Sequence, residues 1–119
     1  MLLKSLVILV ALEHIWFMIF EMFMWKSAYA RKAFGMTMEV AESSEKLAKN
    51  QGLYNGFLAA GLIWSMMVGD PAQAREIQIF FFGCVAIAGA FGAATANVRI
   101  LFFQGLPAIV ALALLICRH

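Results

Sequence analysis

The chain has 119 residues, 64% hydrophobic and 13% charged, with a net charge of +2 and a mean hydropathy of +0.86. Soluble domains are about 45–50% apolar and about 25% charged, so this composition belongs to a membrane protein. A spanning helix needs about 20 mostly apolar residues, so four spans leave no room for a separate soluble domain, and charges spread without a basic patch argue against nucleic acid as a partner.

The first predicted span covers residues 5–25 and contains the stretch ALEHIWFMIFEMFMW, in which Glu13, His14 and Glu21 interrupt an otherwise oily run. The small-x-small pattern at Ser27–Ala30 has the form of a cleavage site. The run before it, however, is longer than a signal core of about 7–15 residues and carries acids, so a retained span is expected. A polar connection, 26–49, follows. Gly35 breaks it, and Thr37 is placed to cap a new helix, since its hydroxyl can accept from the first-turn N–H groups. From about Met38 no breaker occurs until Gly52, so the second span, residues 50–68, is expected to begin as a helix outside the hydrocarbon.

Gly69, Asp70 and Pro71 within Val68–Gln73 predict a turn. The third span covers 77–96, Asn97–Arg99 is a tight reversal, and the fourth span covers 100–117. Pro107 in that span has no N–H and crowds the carbonyl of Phe103, predicting a kink and a free acceptor there. No strand alternation or internal repeat is present. The expected fold is therefore all-α, a single-domain integral membrane four-helix bundle with short connections.

Small residues at four-residue spacing, Gly52, Gly56 and Ala60 in span two and Ala86, Ala90 and Ala94 in span three, suit close helix packing. Trp25 and Trp64 lie near span ends, where aromatic belts sit. Lys26, Arg31, Lys32, Lys46, Lys49 and Arg99 fall on one side of the spans, and Lys4, Arg75 and Arg118 on the other. That bias favours the first connection in the cytoplasm, with both termini outside.

Helical spacing also sorts the intramembrane polar residues. His14 and Glu21, seven apart, share a face with Met18 between them, and Glu13 points about 100° away. Gln51, Tyr54 and Asn55 form a polar face of span two, and Gln104 lies one turn into span four. Hairpin connectivity puts Glu21, Gln51, Tyr54, Asn55 and Gln104 in one layer, with Glu13 and His14 about 10 Å deeper. Carboxylates at such depth cost a few kcal/mol, so they must face the interior, pair or be neutral. The expectation is a polar pocket opening toward the first connection.

No metal or other cofactor is expected, because the Glu-x-x-His pairs of di-iron bundles are absent and the methionines are ordinary gap-fillers. Cys84 and Cys117 fall in apolar runs and read as packing residues. The pocket suits binding or transport of a small molecule, lipid or ion, coupled to titratable Glu and His, in the lipid bilayer and with a homo-oligomer as one arrangement. The alternatives are a membrane enzyme on a lipid or isoprenoid, with His14 and Glu21 as acid and base, and an accessory subunit of a membrane complex.

Three blocks, Ala11–His14 with Glu21–Phe23, Asn50–Asn55, and Gln104–Pro107, together closely resemble the small bacterial membrane proteins of domain-of-unknown-function family 1304. The resemblance covers nearly the whole chain. It implies a compact four-span inner-membrane protein and no assigned activity.

Overall fold

The computed structural model describes residues 2–95 and 104–117. Among them the protein is all-helical, with six helices: α1 (Leu2–Phe23), α2 (Ala28–Phe34), α3 (Met38–Ser43), α4 (Glu45–Met67), α5 (Pro71–Thr95) and α6 (Leu106–Cys117). α1 and α5 are long and apolar enough to cross a membrane. α4 is equally long, but its first half carries Glu45, Lys46, Lys49, Asn50, Gln51 and Asn55, and α6 has 12 residues. The Asn97–Arg99 reversal, the Phe103 carbonyl and the start of the fourth span lie outside the described residues.

The helix ends follow from local chemistry. Thr37 caps α3 as its position predicts, its hydroxyl accepting from the Val40 N–H. Gly35 closes α2 in the left-handed conformation, φ 65°, which costs glycine nothing. The predicted turn at Val68–Gln73 is shorter than expected, because Pro71 is the first residue of α5. The first helical position needs no N–H, and Asp70 caps the helix by accepting from the Ala72 N–H at 3.1 Å. The continuous helix expected from Met38 is interrupted at Ser44, whose hydroxyl bonds back to the Val40 carbonyl at 2.7 Å. Pro107 stands in the first turn of α6, where a missing donor is tolerated.

The chain divides into two compact units, residues 1–13 with 58–119, and residues 14–57. The first unit has a hydrophobic core drawn from four helices: Val7, Val10 and Ala11 of α1, Leu62 of α4, Phe82 and Val85 of α5, and Ala108, Ala111 and Leu115 of α6. Here Arg75 on α5 donates from Nε and Nη2 to the Leu115 carbonyl at 3.2 and 3.0 Å. This satisfies an acceptor that the last turn of α6 would otherwise leave bare. Gly89 is the close approach between α5 and α6, where an added Cβ would lie 2.7 Å from the Gly105 Cα. Of the predicted small-residue stripe, Ala86 is half-buried, while Ala90 and Ala94 are exposed.

The second unit is held by aromatic rings. Phe20 is buried among Trp25, Tyr29 and Phe34, with ring centroids 5.7 to 6.5 Å away. The Trp25 indole N–H donates to the Ser44 hydroxyl at 2.9 Å, and Lys26 pairs with Glu45 at 3.2 Å. These contacts tie the polar connection to the ends of the helices it joins.

Replacing Gly89 with Ala sets a methyl group against backbone that cannot yield, and the expected cost is about 1–3 kcal/mol, as for other overpacked sites. At Gly83 a Cβ would meet open space. Thermal unfolding in detergent, followed by circular dichroism, should therefore show Gly89→Ala melting well below the parent and Gly83→Ala melting with it.

Candidate functional site

α1 buries one stripe, Val7, Val10, Ala11 and His14, at the spacing of a single helical face, and buries Phe20 on another side. His14 is fully buried, with Phe17 edge-on to its ring at 5.2 Å. Seven residues on, about 10 Å along the axis, Glu21 is half-buried and accepts a hydrogen bond from the Asn55 side-chain amide of α4 at 2.5 Å. Asn55 is itself buried.

Two glycines make this contact possible. A Cβ at Gly52 would lie 2.7 Å from the Met22 Cγ and 3.2 Å from the Glu21 Cβ, and one at Gly56 would lie 2.7 Å from the Met18 sulfur. α4 thus presents Gly52, Asn55 and Gly56 to Met18, Glu21 and Met22, a face with one polar pair among small and flexible groups. The third member of the predicted stripe, Ala60, is exposed, and Ala59 is buried in its place. The stripe follows the helix at 3.6 residues per turn and so drifts off strict four-residue spacing.

The remaining candidates take different positions. Gln51 and Tyr54 lie on the exposed surface of α4, with the Tyr54 ring 6.0 Å from Phe57. Glu13 and Gln104 belong to the first unit. Both are half-buried, and the Glu13 Oε1 is buried without a hydrogen-bond partner among the described residues. No three His, Cys, Asp or Glu side chains gather as a metal site would require, among those residues. Cys84 is half-buried and Cys117 exposed, each a free thiol.

The first unit has a polar node that sequence reasoning missed. The Gln78 amide donates to the Ser65 hydroxyl at 3.2 Å, and that hydroxyl donates to the Leu62 carbonyl at 2.6 Å. Ser65 is buried. A single serine and a single glutamine thirteen residues apart carry no local pattern, and the only available signal was their presence in apolar helices.

A family model described as "Protein of unknown function (DUF1304)" matches residues 8–116. The chain belongs to the DUF1304 family. It is 36% identical over 107 residues to the uncharacterized protein YpaA of Lactococcus lactis subsp. lactis (strain IL1403), a match covering 88% of each chain. No solved structure matches it. Glu13, His14, Glu21, Asn55 and Gln104 all lie inside the matched region of this DUF1304 protein.

Asn55→Leu removes the donor to Glu21 and leaves a half-buried acceptor unmatched, at an expected cost of about 1 kcal/mol. The double variant Glu21→Leu/Asn55→Leu removes both partners and should recover most of that loss. Detergent melting of the four members of this cycle measures the coupling, and additive losses would show that the pair contributes nothing.

Proposed function

We propose that this DUF1304 protein is a small four-span protein of the cell inner membrane that binds a small solute or ion at an intramembrane polar site and couples its occupancy to protonation. The observation that carries the reading is the Glu21–Asn55 hydrogen bond, built into a glycine-lined helix contact on α1, a helix otherwise suited to hydrocarbon.

The membrane part is supported by what the helices expose. Ile8, Leu12 and Ile19 of α1, and Phe80, Ile87 and Phe91 of α5, all stand open to the surroundings. Monomers in water rarely show apolar surface on that scale. The exposed Trp64 near the end of α4 suits a membrane interface. The wetter first half of α4 would begin nearer the headgroups. The excess of Lys and Arg in the first connection favours the cytoplasm for that side.

The ligand part is supported by the surroundings of the acids. Purely apolar packing would hold α1 more cheaply, since polar and ionisable groups at membrane depth are costly. Glu21 offers an acceptor beside a fixed amide, with flexible Met18 and Met22 against the glycines. In the first unit, the unmatched Glu13 oxygen is the kind of acceptor that a proton or a cation satisfies. A pathway in a chain this short calls for a second copy, so the working form is a homo-oligomer.

The test is uptake by vesicles loaded with a pH-sensitive dye and reconstituted with the pure protein. Glu21→Gln keeps the size of the side chain and an oxygen for Asn55 while removing the titratable proton. Parent vesicles should take up solute with a pH dependence that Glu21→Gln abolishes and Gln51→Ala, on the exposed face, preserves. Equal uptake by parent and Glu21→Gln would reject the coupling.

A further inference from the structure

The first unit carries a second polar feature, where α1 begins, α4 ends and α5 starts. Two recesses of about 300 and 320 Å³ open there. Both are lined by Leu3 and Gln78, so they are adjoining halves of one groove. Each has the volume of a small ligand pocket, which starts at about 300 Å³. Its walls are mostly apolar: Leu3 with Val7 and Met66 in one half and Leu115 in the other. Its charges are of one sign, Lys4 in the first half and Arg75 in the second, and no acidic side chain is among the lining residues.

Two of the polar groups are held in place. Arg75 spends two N–H groups on the Leu115 carbonyl, and a guanidinium has five, so it is anchored with donors left over. Gln78 is tied to Ser65 and through it to Leu62. The Lys4 ammonium sits on a long flexible stem at the exposed first turn of α1 and can swing over the groove mouth.

We propose that this groove binds one anionic phospholipid, its phosphate between Lys4 and Arg75 and an acyl chain along Leu3, Val7, Met66 and Leu115. The pairing of two cations with an apolar wall matches a lipid better than a free phosphate, which has no use for the wall. Basic pockets between spanning helices on the cytoplasmic side bind such headgroups, and the same pairing of cations with an apolar wall serves the outer leaflet that this end faces in the four-span reading. The proposal rests on the four-span reading, in which this end of the bundle lies at the membrane surface. It does not depend on the Glu21 site.

The full chain, purified in detergent, is examined by native mass spectrometry with phosphatidylglycerol or phosphatidylcholine added at equal concentration. The parent should retain phosphatidylglycerol in preference. A cation near an anionic headgroup is worth about fivefold in affinity, so Lys4→Gln should lower that preference about fivefold. Lys4 is exposed and its loss leaves the core intact. Met66→Trp, which narrows the apolar wall, should weaken retention of both lipids, and excess inorganic phosphate should displace neither. Equal retention of the two lipids by the parent, an unchanged preference in Lys4→Gln, or displacement by phosphate would overturn the lipid site. Release of the chain from membranes by alkaline carbonate would overturn the four-span reading beneath it.

Discussion

A carboxylate on an oily helix has to be matched, and much of the second unit follows from how Glu21 is matched. Its partner is an asparagine on α4, close enough to donate only because Gly52 and Gly56 flank it and admit Met18 and Met22. A larger residue at either glycine would push the helices apart and strand the acid. The hydrogen bond therefore sets the distance and the register of the α1–α4 contact in this unit, and the flexible methionines fill what remains. His14, two turns earlier on the same face, is buried, so polarity recurs along one stripe of α1.

The first unit solves its packing differently. Its core is Val, Ala, Leu and Phe from four helices, with Gly89 bringing the α5 backbone against Gly105. Polar groups enter where a helix end needs them, as with Arg75 and the Leu115 carbonyl, or as a closed relay, as with Gln78, Ser65 and Leu62. Hydrogen bonds of this kind offset the desolvation of buried polar atoms, and among the described residues the Glu13 Oε1 lacks one, which invites a functional account. In both units large apolar side chains stay exposed, among them Leu12 and Phe91 in the first and Trp16 and Phe57 in the second, beside an interior that is itself mostly apolar.

Much of the secondary structure was legible. The apolar runs, Gly35, Thr37 and the Gly-Asp-Pro cluster marked the helices and their breaks, because caps and breakers act within a turn or two of the chain. The errors were local competitions of the same kind. Pro71 reads as a turn residue yet starts α5, since Asp70 caps it and the first helical position needs no donor. Ser44 reads as a passable helix residue, but its hydroxyl bonds back to the preceding turn and its position is shared with the Trp25 indole. The aromatic cluster on Phe20 was not foreseen, as its members come from α1, the connection after it and α2, whose rings meet only when the chain reverses.

For the candidate site, helical periodicity alone put His14 and Glu21 on one face and named five residues for a polar layer. It could not say which of them touch. Asn55 bonds Glu21, whereas Gln51, four residues earlier, and Tyr54, one residue earlier, lie on the exposed surface of α4. A rotation of α4 by about 100° would put Tyr54 where Asn55 stands, and one of about 40° would bring Gln51 to that direction a turn away; the rotation is chosen by Gly52 and Gly56 fitting against Met22 and Met18. The sequence by itself determined that the chain is helical, where Gly35 and Thr37 break and restart it, and that acids sit in an apolar run, because these depend on neighbours within a few residues. Tertiary structure alone decided which side of each helix is turned inward, that Gln78 finds Ser65, and that Lys4 and Arg75 line one groove, because each depends on the fit of surfaces distant along the chain.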